Sequence, residues 1–193
     1  MGIYDRQEAF KLNTDITVSI VGCGGIGYWV AKLLAMSGVE KLYLYDADVI
    51  EETNLNRLDL PMQTLGMNKA GVVKKVINQL RPNCSTYVLP YRFKETLYTD
   101  SDYIVDCTDN FASQLEIQEI AKNKGAIYVK AGYDGTHISI SNSVAEWGES
   151  VDGYTVTPSW CVPAITVAAL TVAKILKSWE KAATLDIMDV FTF

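Results

Sequence analysis

Residues 17–37, TVSIVGCGGIGYWVAKLLAMS, decide the fold. A short β-branched run leads into Gly22, Gly24 and Gly27, spaced G-x-G-x-x-G, and an apolar stretch of helical type follows. A strand, a tight glycine turn and a helix in that order form the setting of a nucleotide-binding turn. Glycine suits each position because the turn is tight and the backbone must come close to phosphates, whose charge the helix N-terminus favours. A dinucleotide and ATP both satisfy such a turn, so other residues must choose between them.

Outward from the turn the alternation continues. Short β-branched and aromatic runs fall at 17–21, 42–45, 86–89, 103–106 and 126–129, with helical patterns at 25–37, 66–80 and 111–123. Ala70, Val73, Val76, Ile77 and Leu80 form one apolar stripe of the second helix, and Leu115, Ile117, Ile120 and Ala121 one of the third. Strand and helix in alternation predict an α/β, Rossmann-like fold: a mostly parallel sheet with helices on both faces. Beyond the AGYDG turn, THISISNSV (residues 136–144) alternates, with Ile138, Ile140 and Val144 on one face, which predicts an antiparallel strand added at the edge. The loop SVDGYTVTPSWCVP (residues 150–163) leads to a nearly all-apolar helix ending near Lys177. Such a helix must be covered all round, by the sheet with a neighbouring helix or by a second subunit. No repeat or linker divides residues 1–193, which read as a single domain; a chain of this size buries roughly 70% of its unfolded surface.

Composition excludes several function classes. A formal net charge of -6 and a pI near 4.8 argue against a nucleic-acid partner, which usually needs a basic patch. Cys23, Cys84, Cys107 and Cys161 stand singly, and His137 is the lone histidine, a poor set for a zinc site or a disulfide framework. The first residues, MGIYDRQEAF, carry charges, and Arg6 stands where a myristoylation signal needs Ser or Thr, so the cytoplasm is the expected compartment. The longest apolar run, residues 161–173, is shorter than the roughly 20 residues that span a bilayer, and no membrane role is expected.

The chemistry-bearing residues cluster after the strands. Asp46 ends the second strand, 19 residues after Gly27, where a carboxylate can accept hydrogen bonds from ribose hydroxyls. The polar loop beyond it carries Asn54, Asn56 and Arg57; Lys69 opens the next helix; Asp109 and Asn110 follow the fourth strand. Ligands of open parallel sheets bind outside the carboxyl ends of the strands. Arg57 offers a bidentate fork to phosphate, Lys69 a point charge and Asp109 a hard oxygen for magnesium, a set better matched to ATP than to a nicotinamide cofactor. Each also has an ordinary use: Lys69 as an exposed first-turn lysine, Arg57 in a surface ion pair, Asp109 as a helix N-cap. An NAD-linked oxidoreductase shares the turn and Asp46, but His137, in its alternating strand, offers no evident acid or base for hydride transfer. A nucleotide-binding partner subunit without chemistry of its own is the non-enzyme alternative.

In combination, GCGGIG (22–27), DADVIEETNLNR (46–57), LGMNKA (65–70) and DCTDN (106–110) resemble the ATP-binding motifs of the ubiquitin-activating-enzyme-like adenylyltransferases, the ThiF/MoeB/HesA type. The resemblance covers residues 4–135, and Gly25, which the plain glycine pattern does not demand, belongs to it. It implies MgATP-dependent adenylation of a carboxylate, the C-terminus of a small ubiquitin-like or sulfur-carrier protein or of a peptide, with release of pyrophosphate. By motif, Gly22, Gly24, Gly25, Gly27 and Asn110 would line the nucleotide, Asp46 hold the ribose, Asn54, Arg57 and Lys69 the phosphates, and Asp109 the magnesium. YDRQ (residues 4–7) is similar to the family's RY-x-RQ segment, which implies that Arg6 reaches the phosphates of the partner subunit in a homodimer. Attack of a carboxylate on phosphate spreads negative charge, which cations and a metal stabilise better than a general base does, so no histidine is needed.

Relatives that go on to a thioester, persulfide or disulfide step carry a cysteine near the crossover loop, and Cys161 stands roughly there. It is either a thiol activated by a helix N-terminus or a small apolar residue starting a buried helix. Cys23 and Cys107 read as packing residues. The chain resembles a short form of the family: it lacks the two Cys-x-x-Cys pairs of zinc-holding members, and Leu58 stands where Gln is common.

Overall fold

The β-branched run Thr17–Val21 forms β1, flanked by Lys41–Tyr45 (β2) on one side and Tyr103–Asp106 (β4) on the other. Ser85–Leu89 (β3) pairs with β2, and Ile127–Tyr133 (β5) with β4, all in parallel. His137–Ser141 (β6) and Ala183–Asp186 (β7) extend the sheet antiparallel, giving the order β3-β2-β1-β4-β5-β6-β7. This computed structural model describes residues 2–134, 137–144, 158–177 and 183–186; most of the loop expected over 150–163, Gly135 and the tail past residue 186 lie outside the described residues.

Because β2 and β3 lie to one side of β1 while β4 and β5 lie to the other, the chain reverses direction between β1 and β4. Right-handed crossovers running in opposite directions put their helices on opposite faces. Gly25–Met36 (α1) and Lys69–Leu80 (α2) cover one face, where Cys161–Leu176 (α4) joins them; Phe111–Lys124 (α3) covers the other. The first core contains Val18, Ile20, Leu34, Leu44, Ile77 and Val105, and the second Val21, Tyr45, Ile104, Ile117, Ile120 and Tyr128, the alternation a sheet buried on both faces requires. α4 packs on α1, β5 and β6. These contacts bury the face with Ala164, Val167, Ala168, Val172 and Ile175, while Ala169 and Leu170 stay exposed, so the chain covers α4 on one side and not all round. Among the described residues no helix is long and apolar enough to cross a membrane.

Four details differ from the sequence reading. α2 begins at Lys69 rather than residue 66, because Gly66 takes a left-handed φ of 77° and Asn68 caps the helix by accepting from the Gly71 N–H at 3.0 Å. Its buried stripe includes Val72, while Leu80 in the last turn is exposed. In α3 it is Gln114, not Leu115, that is buried, because the Gln114 amide finds a partner in the Thr108 carbonyl. Beyond β6, Val144 packs toward the second core while Ile138 and Ile140 enter the first, and β7 rather than β6 is the outer strand.

Candidate nucleotide site

The crevice where the strand order reverses is built around the glycine turn. Gly22 has φ +88°, the left-handed region that favours glycine, and a Cβ there would lie 3.1 Å from the Cys107 carbonyl oxygen. The Cys107 N–H donates to the Val21 carbonyl at 2.8 Å, so the turns after β1 and β4 are bonded neighbours. Gly27 is excluded from carrying any side chain: its Cβ would fall 1.8 Å from the Gly22 carbonyl oxygen, where helix and turn touch. At Gly24, the residue before α1, a Cβ would meet nothing within 4 Å, so that side of the turn is open. Open space before a helix N-terminus, lined by backbone N–H groups, is what an anion needs.

Asp46 buttresses the turn from β2. Its Oδ2 accepts from the Cys23 N–H at 2.6 Å and its Oδ1 from the Asp48 N–H at 2.8 Å. Burial pushes its carboxyl pKa above the ordinary aspartate value, against the pull of those two N–H groups and of Lys69. Asn68 locks the segment that follows. Its Nδ2 donates to the carbonyls of Asp46 at 2.8 Å and Asp48 at 3.1 Å while its Oδ1 caps α2. Lys69 is thereby placed beside the turn, paired with exposed Asp48 at 3.2 Å.

Arg57 is held by an unexpected set of residues. Trp29 Nε1 donates to the Arg57 carbonyl at 2.9 Å, Tyr28 donates its hydroxyl to the Asp59 carbonyl at 3.0 Å, and Lys32 pairs with Asp59 at 2.8 Å. Three side chains within about one turn of α1 therefore pin the 57–59 loop. The Arg57 side chain lies over the glycine turn: a Cβ on Gly25 would stand 2.8 Å from Arg57 Cδ and 3.0 Å from the Tyr133 hydroxyl oxygen. Arg57 Nη1 donates to the Thr53 carbonyl and to Asn56 Oδ1, and among the described residues no carboxylate pairs with it. Among the described residues, then, Arg57 forms no surface ion pair. Asn54, by contrast, is buried, its Oδ1 accepting from the Glu51 N–H at 3.1 Å in a capping box.

On the β4 side Asn110, not Asp109, is the N-cap of α3, accepting from the Ser113 N–H at 2.9 Å. Asp109 is exposed, and among the described residues its carboxylate has no hydrogen bond or ion pair. Cys23 is buried and Cys107 half-buried, and both thiols are shifted away from ionisation, Cys107 up to about 12, by desolvation. They are packing residues, as read from the sequence. Cys161 is half-buried at the start of α4, and the preceding residue but one, Ser159, ties that helix start to the site. Its carbonyl accepts from Asn56 Nδ2 at 2.8 Å and its hydroxyl meets that of Tyr133 at 2.9 Å.

Arg6 stands apart from this gathering. It is exposed in a 3-10 helix, Asp5–Phe10, whose Gln7 Nε2 donates to the Ser37 carbonyl at the far end of α1. A helix of that length puts its two ends about 18 Å apart. Hollows of about 410 and 570 Å³ also lie at this amino end of the strands, lined in part by Glu8, Lys11, Asp15 and Glu40. That is the end opposite to where open sheets bind ligands. Sequence reasoning missed Tyr28, Trp29, Asn68 and Tyr133; for Tyr28 and Trp29 the available signal was an aromatic residue with a polar tip directly behind the glycine turn, and Asn68 and Tyr133 carry no such signal.

Residues 4–150 match the ThiF family over most of the chain. The chain belongs to the ThiF family. Ubiquitin-like modifier-activating enzyme 5 of Branchiostoma floridae is 27% identical over 92% of this chain and 45% of its own. Adenylyltransferase and sulfurtransferase UBA4 of Eremothecium gossypii is 34% identical over 64% of this chain and 29% of its own. This ThiF-family chain thus spans less than half the length of these curated relatives. The structure of E. coli MccB with ATP shares its fold, with a TM-score of 0.80 at 20% identity, covering 96% of this chain and 72% of that one.

Proposed function

We propose that this ThiF-family chain catalyses MgATP-dependent adenylation of a C-terminal carboxylate. The observation that carries the reading is the pairing of two uncommitted charges around one glycine turn. Among the described residues, Arg57 lies over Gly25 with no acidic partner, and Asp109 stands on the neighbouring loop with no partner for its carboxylate. A triphosphate with its metal would supply the missing partner to both.

In this reading the N–H groups after Gly22 and Gly24 take the phosphates, with Arg57 and Lys69 beside them and Asp46 toward the ribose. A carboxylate has lone pairs left after two backbone N–H donors, so Asp46 can still accept from hydroxyls. The acceptor's carboxylate oxygen attacks the α-phosphorus, a new acyl oxygen–phosphorus bond forms, and the bond to pyrophosphate breaks. Arg57 and Lys69 counter the charge that builds on the leaving group. Asp109 would hold magnesium. No group of three or more His, Cys, Asp and Glu among the described residues is arranged to bind a metal, so the metal would be shared between this single carboxylate and phosphate oxygens, as magnesium commonly is. Bound there, magnesium neutralises phosphate charge. Asn54 and Asn110 serve by holding the two loops in shape.

The proposed acceptor is a small ubiquitin-like or sulfur-carrier protein, or a peptide. The names of the relatives support the first two, and solved structures of MccB with MccA the last. Arg6 fits the reading only across a homodimer, which is part of the proposal. Two measurements test it. ATP with magnesium should raise the thermal midpoint, and ATP–pyrophosphate exchange should appear with the acceptor. Arg57→Ala and Asp109→Ala should each lower that exchange on the order of 100-fold, the effect of losing one preorganised charge. Stabilisation by NADH alone, or full exchange in either variant, would sink the proposal.

A further inference from the structure

Beneath the site lies a buried charge that the scheme above leaves unused. Lys130 in β5 is 6% exposed, and its Nζ stands 3.7 Å from Asp106 Oδ1, a carboxylate that is fully buried. The ammonium donates to the carbonyls of Thr108 at 2.6 Å, Ala131 at 3.2 Å and Asp106 at 3.3 Å. Asp106 is satisfied on every side: Oδ1 accepts from the Thr108 N–H at 2.9 Å and its hydroxyl at 2.7 Å, and Oδ2 from the Tyr128 hydroxyl at 2.7 Å. Burial and the Asp106 charge push the Tyr128 pKa up, which keeps that hydroxyl a donor. From α3, Gln114 Nε2 reaches the same Thr108 carbonyl at 2.9 Å.

A buried ion pair is poor evidence of added stability, since well-packed apolar residues of the same volume often do as well. What this cluster accomplishes is geometric. It grips the carbonyls at 106 and 108, on both sides of the peptide that abuts Gly22, and the next residue is Asp109. The grip comes from two elements at once, β5 and α3, so the loop cannot follow the motion of either alone. We propose that Lys130, with Asp106 and Gln114, is a positioning residue that sets the Asp109 loop for the magnesium-bound triphosphate. This rests on the assignment of Asp109 as the metal ligand.

Lys130→Met alone would leave Asp106 buried and unpaired, so the test uses the double variant Lys130→Met with Asp106→Asn, and Gln114→Leu as a milder second variant. Two measurements are made on the full chain. Hydrogen exchange without nucleotide reads the Thr108–Asn110 amides; calorimetric titration reads ATP affinity with magnesium and with chelator. The double variant should speed exchange at these amides at least tenfold, with other core amides unchanged. It should also lose about tenfold of the magnesium-dependent gain in ATP affinity while keeping wild-type affinity in chelator; Gln114→Leu should do the same to a lesser degree. Unchanged loop exchange, or an equal loss with and without magnesium, overturns the positioning role while leaving the adenylation reading in place. If the unaltered chain shows no magnesium effect on ATP binding, the assignment of Asp109 fails and the inference falls with it.

Discussion

A methyl group on Gly25 would stand 2.8 Å from Arg57 Cδ and 3.1 Å from Nε, so any side chain there pushes the arginine off the glycine turn. Gly25→Ala should therefore lower ATP–pyrophosphate exchange about tenfold, a displaced rather than a deleted charge, with little change in the denaturation midpoint. An equal loss of stability would show instead that the methyl distorts α1. Cysteine chemistry separates the four thiols by burial. With the Cys107 pKa up to about 12 and those of Cys23 and Cys84 also raised by burial, iodoacetamide at neutral pH should label Cys161 first in the native chain and the other three only on unfolding, read by peptide mass. For Asp46, burial raises the folded pKa above the ordinary 3.8. The group's contribution to the stability of the nucleotide-free chain is full below 3.8 and is lost as pH rises through the higher folded value. Nucleotide binding has the opposite sign, because it needs the carboxylate. ATP affinity should fall on acidification at a pH higher than an ordinary aspartate would give, and Asp46→Asn should flatten that dependence.

Between residues and the whole, the elements carry the site through their backbones. Asn68 caps α2 and holds the carbonyls of Asp46 and Asp48. Asn68→Ala should cost about 1 kcal/mol for the lost cap and as much again for the two freed carbonyls, measured by urea denaturation, and should weaken ATP binding as Lys69 loosens. A purely local cap would leave ATP affinity unchanged. This is also where the sequence was least legible. The glycine spacing and the strand-helix alternation expose β1 to α3 directly, because core faces repeat with the period of each element. A hydrogen-bonding side chain such as Asn68 or Gln114 shows no period, and its value depends on carbonyls brought close only by folding. Gln114 displaced Leu115 from the expected stripe for that reason. β7 is short and only weakly strand-like, so nothing before the fold marks Ala183–Asp186 as the strand that covers β6.

For the molecule as a whole, the reversal of strand order between β1 and β4 explains why residues more than 80 positions apart share one crevice. It also explains why Arg6 does not. The N-terminal segment is tied to the opposite end: Asn13 N–H donates to the Leu176 carbonyl at 2.9 Å, Lys177 Nζ to Phe10 at 2.8 Å, and the Tyr4 ring lies 3.4 Å from a Cβ position on Gly38. Arg6 could reach phosphates only in another copy, so its role and the homodimer are tested together. Arg6→Ala and Arg57→Ala should each be nearly inactive alone. In a mixed dimer, the Arg6→Ala protomer keeps its own Arg57 and receives an intact Arg6 from its neighbour, which completes one site. Half of the dimers formed on random exchange are mixed, so combining the two variants should restore roughly a quarter of wild-type exchange activity. No recovery, despite subunit exchange shown by mass spectrometry, would remove Arg6 from the site; full activity of Arg6→Ala alone would do the same without the mixing experiment.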